Sequence, residues 1–209
     1  MPNTMQDKTL FETGSERWIR NTYILEVGAK SGQRGLKTGM LSNLQYKDGG
    51  RLQDGVGLLT SILTRYTEVG SVQYWREEHA LKFKFMVNQA QDDTTLHELL
   101  KPALEIFHQL EGQRMRVFDI ASRSEEGVSV ITITRDVDSM SQREVGLIVE
   151  LLKGAYKHHL IYDQIYLPQD EQIYQEEMIT QMLSSIQTID VKKNVVALRE
   201  DDKVLVFKT

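Results

Sequence analysis

Apolar residues alternate with polar ones in several short runs of this chain and recur every three to four positions in longer ones, so strands and helices are expected in succession. TYILEV, residues 22–27, sets Tyr23, Leu25 and Val27 on one side, the mark of a strand. From about Asp54 to Tyr66, Val56, Leu59, Ile62 and Leu63 fall at helical spacing. SVQYWR and ALKFKFMV then read as two strands joined by the polar link EEH. In the second of them Leu81, Phe83, Phe85 and Val87 oppose Lys82, Lys84 and Met86, which predicts a hairpin with one buried face.

The order then repeats. Thr95 and Glu98 have capping-box spacing ahead of Leu96, Leu99, Leu100, Ala103, Leu104 and Phe107, and Gly112 supplies a stop. Pro102 opposes an uninterrupted helix, because an interior proline costs about 3 kcal/mol; a kink, or a start moved to Lys101–Pro102, is expected. RMRVFDIAS and VSVITIT flank a SEEG turn as a second hairpin. Ser141 and Glu144 form another capping box before Val145, Ile148, Val149, Leu151, Leu152 and Ala155. Pro168 suits the first turn of a fourth helix, after which VVAL and KVLVFK face each other across REDD.

These elements predict an α+β fold, an antiparallel sheet with helices on one face. From about Arg20 to Ser122 the order is β-α-β-β-α-β, that of a ferredoxin-like domain, followed by two helices and a C-terminal β-hairpin. The expected division is a flexible N-terminus over 1–18, a ferredoxin-like domain over 19–135, and a helix–helix–hairpin part over 136–209 that can share the same core. WREEHALKF and LREDDKVLV match in pattern, but an acidic turn is what any solvated hairpin tip favours.

Composition narrows the function. The 209 residues include no cysteine, which excludes disulfides, thiolate metal sites and thiol nucleophiles. No apolar run approaches the ~18–20 residues of a membrane span, and the start lacks a cationic segment followed by an apolar one. A soluble cytoplasmic protein without a membrane partner is expected. A net charge of −5 gives no general attraction for polyanions.

The most suggestive chemistry lies in GAKSGQRGLKTG, residues 28–39. A P-loop needs a second glycine where Lys37 stands, and a helix start directly after Thr38, whereas the next helix begins near Asp54. What remains is a mobile cationic loop, with an anionic metabolite or nucleotide as the alternative ligand of Lys30, Ser31, Gly32, Arg34, Gly35, Lys37 and Thr38. His97 and His108 lie on one helix roughly 16 Å apart, too far for one metal, and read as surface or boundary residues. His158 and His159 close a helix, where the dipole favours cations. Asp136 and Asp138 precede a capping serine and lack the calcium-loop pattern. No G-x-S-x-G elbow occurs. No catalytic constellation, metal site or cofactor is expected.

Trp75, Lys82, Lys84 and Met86 can share the open face of the sheet, and KVLVFK adds apolar strand surface. The leading expectation is therefore an interaction or regulatory protein working through homo-oligomer or protein-partner contacts. Single-stranded nucleic acid on that face is a third reading, weakened because Phe83 and Lys84 stand where glycines would let bases lie on the sheet.

Overall fold

A computed structural model of the chain describes residues 22–26, 54–89, 92–188, 191, 193–200 and 203–208. Its elements are β1 (Thr22–Glu26), α1 (Asp54–Arg65), β2 (Ser71–Trp75), β3 (Ala80–Val87), α2 (Asp93–Leu110), β4 (Phe118–Glu125), β5 (Val128–Asp136), α3 (Gln142–Tyr156), β6 (Leu160–Ile161), α4 (Gln169–Thr188), β7 (Val195–Glu200) and β8 (Lys203–Lys208). The fold is α+β. Seven strands form an open antiparallel sheet in the order β1-β8-β7-β2-β3-β5-β4, and the short β6 pairs with β3 off this path.

The β-α-β-β-α-β order is present along the chain from β1 to β4, but element order does not decide which strands become neighbours. β1 lies beside β8, β7 lies beside β2, and β5 separates β4 from β3. The C-terminal hairpin thus stands between β1 and β2, and the sheet is continuous across residue 136.

Register makes the sheet one-sided. Val206, Ala197, Val72, Phe83, Ile133 and Ile120 form one cross-strand row, and each is buried. Because successive strand residues point to opposite faces, all odd-numbered positions of β3 follow Phe83 inward, and Leu81, Phe85 and Val87 are fully buried. Helix α1 covers β2, β7 and β8 and packs on α4; α2 covers β4 and meets α3; α3 meets α4. Core residues of the helices sit at i and i+4, as in Leu96, Leu100, Leu104 and His108 of α2.

One turn and two caps show local chemistry at work. Glu126 and Gly127 both have positive φ, 50° and 86°, the two-residue hairpin geometry that matches strand twist. Ser141 caps α3 by accepting from the Glu144 N–H, as its spacing predicts. In α2 the cap is Asp92, whose carboxylate accepts from the Thr95 N–H, so Thr95 is a first-turn residue rather than the cap. Pro102 is tolerated inside α2, and the helix does not restart there. It is exposed, as is Glu98, whose carbonyl loses its helical partner, so the break falls on the solvent side of the helix.

The two sheet faces should respond differently to truncation. Phe83→Ala is expected to cost about 3–5 kcal/mol, whereas Thr132→Ala on the opposite face should stay within about 0.5 kcal/mol. Urea unfolding with an unchanged denaturant slope checks both.

Candidate functional site

The outward phase of the sheet brings together the four face residues singled out in the sequence. Trp75, Lys82, Lys84 and Met86 all point away from the helices, with Lys84 exposed and the others half-buried. Lys82 Nζ lies 4.9 Å from the Trp75 ring centroid and 3.3 Å from Glu78, so this lysine is held rather than free to track a polyanion. Met86 is farther along β3, opposite Ile161 of β6. The outward rows run Phe207, Val196, Gln73, Lys82, Thr134, Asp119 and Leu205, Leu198, Ser71, Lys84, Thr132, Ala121. An apolar quartet, Val196, Leu198, Leu205 and Phe207, thus lies together on β7 and β8, while from β2 to β4 the face mixes polar and charged residues with Trp75, Met86 and Ala121. None of the quartet belongs to the hydrophobic core or to the residues packed on it.

A second cluster, unforeseen in the sequence, lies under the inner face. Arg135 of β5 is fully buried and uses its whole fork. Nε and Nη2 donate to Glu144 of α3, Nη1 donates to Asp136 and to the Val117 carbonyl, and Nη2 also reaches Ser139 Oγ at 3.1 Å. His108 of α2 completes it with Nε2 3.1 Å from Glu144 Oε2. The same Nε2 lies 3.1 Å from Arg135 Nη2, which only donates, while the carboxylate only accepts, so Nε2 bonds one or the other according to its tautomer, and the buried Nδ1 has no hydrogen-bond partner. One guanidinium thus ties β5 to α2, to α3 and to the 137–140 loop.

Asp136 anchors the near end. It accepts from the backbone N–H groups of Arg116, Val117 and Ser139 as well as from Arg135. Burial works against its charge, but the hydrogen bonds from Ser139, Val117 and Arg135, with the guanidinium charge, outweigh it and hold the carboxyl far below the usual carboxylate range. Above the cluster an open cleft of about 520 Å³ is lined by Gln113, Arg114, Met115, Arg116, Asp138 and Ser139. Asp138 pairs with Arg116 at 2.8 Å and with His79 at 3.1 Å. Of the cluster, only Ser139 lines the cleft, so Glu144 and His108 are cut off from solutes there.

These positions revise three expectations. His108 is core, 2% exposed, not a boundary residue. Glu144 turns away from the capping box to serve Arg135. Asp136 is a hydrogen-bond hub rather than a helix-dipole acid. A signal was present: Arg135 shares the period of Ile131 and Ile133, Glu144 lies four residues before Ile148, and His108 lies four after Leu104. Each polar residue occupies an apolar phase, and only their meeting in space explains all three.

Acid should act through Asp136. Its depressed pKa contributes stability that is complete above the ordinary carboxylate range near pH 4 and is lost as pH falls below it. Asp136→Asn should lower stability at pH 7 and flatten its decline between pH 5 and pH 2, measured by urea unfolding at each pH. Glu144→Ala, which strands Arg135, should cost about 3–5 kcal/mol at pH 7.

Lys30, Ser31, Gly32, Arg34, Gly35, Lys37 and Thr38 lie outside the described residues, and β1, which precedes them in the chain, ends at Glu26 opposite Lys203. Among the described residues no group of three or more His, Asp or Glu side chains is arranged to hold a metal ion, and no helix is long and apolar enough to cross a membrane. Comparison with protein-family models, with curated proteins and with solved structures finds no significant match, so the geometry above is what a functional reading has to rest on.

Proposed function

We propose that this is a cytoplasmic association protein whose outward sheet face pairs with a second copy of the chain. The observation that supports the reading is an apolar cluster on that face: Val196, Leu198, Leu205 and Phe207, each half-buried, adjoin one another across β7 and β8 outside the core, while the inner phase of the same strands is covered by helices. Seven strands at about 4.8 Å spacing make a face roughly 29 Å wide. That is of the order needed for the ~800 Å² per partner of a stable interface. A two-fold pairing centred on the quartet sets apolar surface against itself and keeps Lys82 and Lys84 toward the rim, where like charges are separated and hydrated. The ferredoxin-like comparison survives only as chain order and adds nothing to this reading.

An anionic ligand at Gly28–Gly39 remains the alternative from the sequence, and single-stranded nucleic acid the third. The nucleic-acid reading loses ground because Lys82 is engaged by Trp75 and Glu78.

Light scattering coupled to size exclusion should give twice the monomer mass for the parent chain at tens of micromolar. Leu198→Glu and Leu205→Glu should each give a monomer with an unchanged far-UV spectrum, because a charge is tolerated on a solvated face but not when buried in a dry interface. A parent that stays monomeric at high concentration, or variants that dimerise as well as the parent, would remove the proposal.

A further inference from the structure

Two arginines occupy the inner face of this sheet, and they are treated in opposite ways. Arg135, described above, is surrounded by acceptors. Arg199 of β7 follows Val195 and Ala197 in the same inward phase, its side chain is 4% exposed, and Nε, Nη1 and Nη2 are buried with no hydrogen-bond partner. Its backbone is ordinary, donating from N to the Gly70 carbonyl at 3.0 Å in continuation of the β2–β7 ladder. Among the described residues it forms an ion pair with Asp163, whose carboxylate stands 3.9 Å from Nε, beyond hydrogen-bond reach. Glu68, the other carboxylate whose field is felt there, already takes Lys153 at 3.2 Å.

A guanidinium stays charged at neutral pH, so this residue cannot relieve its burial by losing a proton. Burial pushes its pKa down, and Asp163 and Glu68 pull it back up, without either making a bond to it. A buried guanidinium held by one long ion pair, with none of its N–H groups hydrogen-bonded, is poorly compensated, and the Arg135 cluster shows the same sheet face satisfying an arginine completely. The planar fork has donors only, and its natural complement is an oxyanion that accepts two of them in parallel.

We propose that Arg199 is the receptor of an oxyanion site whose ligand is a small monocarboxylate, admitted when Asp163 moves aside. Access is by the link 162–168 between β6 and α4. Asp163 is 46% exposed on this link, beside Tyr162 at 38% and Tyr166 at 87%, and the link follows directly on the two-residue strand β6. The charge of the surroundings selects the ligand: with Asp163 and Glu68 both near, a second negative charge on the ligand is repelled, so a carboxylate is preferred over a phosphate dianion. This site is separate from the outward face that pairs two copies, and either can fail alone.

The test is thermal unfolding of the full chain at pH 8 in acetate, phosphate or chloride at matched ionic strength. The parent should show a saturable rise in Tm with acetate, smaller with phosphate and absent with chloride. Arg199→Met should lose the acetate response, and Arg199→Lys, which keeps the charge without the fork, should shift half-saturation to at least about tenfold higher acetate, the worth of one charge-assisted hydrogen bond. Asp163→Asn removes the competing carboxylate and should bring half-saturation to lower acetate than in the parent. If Arg199→Met does not fold, the Lys and Asn variants still decide the matter. An acetate response equal in parent and Arg199→Lys, a phosphate response larger than the acetate one, or no response in either the parent or Asp163→Asn would overturn the assignment.

Discussion

Strict alternation of side chains across one antiparallel sheet is the constraint on which the rest of this molecule depends. Once Phe83 faces the helices, the hydrogen-bond ladders carry its phase through β2 and β7 to Val206 on one side and through β5 to Ile120 on the other. A slip of β3 by one residue would bury Lys82 and Lys84 and expose Leu81 and Phe83. The four helices need only supply one apolar stripe each, and the opposite face is left to whatever the even-numbered positions of β3 and their neighbours present.

Alternation also explains why charged groups are found inside. Leu81, Arg135 and Phe118 share one cross-strand row, while Arg199 stands on the far side of the central apolar row, opposite Val204. Both arginines are carried inward by the phase of apolar neighbours. For Arg135 the helices bring Glu144 and His108, and the turn brings Asp136 and Ser139, so burial strengthens bonds that water would otherwise weaken. For Arg199 the link after β6 brings a carboxylate that stops short. The difference lies in the elements that cover the sheet, not in the strands that carry the arginines.

The two proposed sites lie on opposite faces and draw on different physics. Association on the outward face rests on apolar area at β7 and β8, which is non-directional and insensitive to small shifts. The Arg199 site rests on a fork that needs an acceptor at a fixed distance and angle. The hairpin β7–β8 belongs to both, since Leu198 points outward next to an inward Arg199. Pairing of two copies over Leu198 and Leu205 would therefore stiffen the strand that presents the guanidinium.

Among the described residues, the sequence by itself determined the three hairpins, the four helices, the cap at Ser141 and the buried phase of β3, because these follow from near neighbours and from periods of 2 and 3.6. It likewise placed Trp75, Lys82, Lys84 and Met86 on one face. Only the tertiary structure decided that β7 adds to β2 and β8 to β1, since backbone ladders are chemically alike and pairing partners far apart in sequence leave no local mark. Only it decided, too, that Pro102 is carried inside α2, where an apolar face spanning both sides of the proline outweighs one lost bond. The meaning of Arg135, Glu144, His108 and Arg199 belongs to the same class. A polar residue in an apolar phase is visible along the chain, but whether its partner arrives depends on elements packed from elsewhere, and here it arrives for Arg135 and not for Arg199.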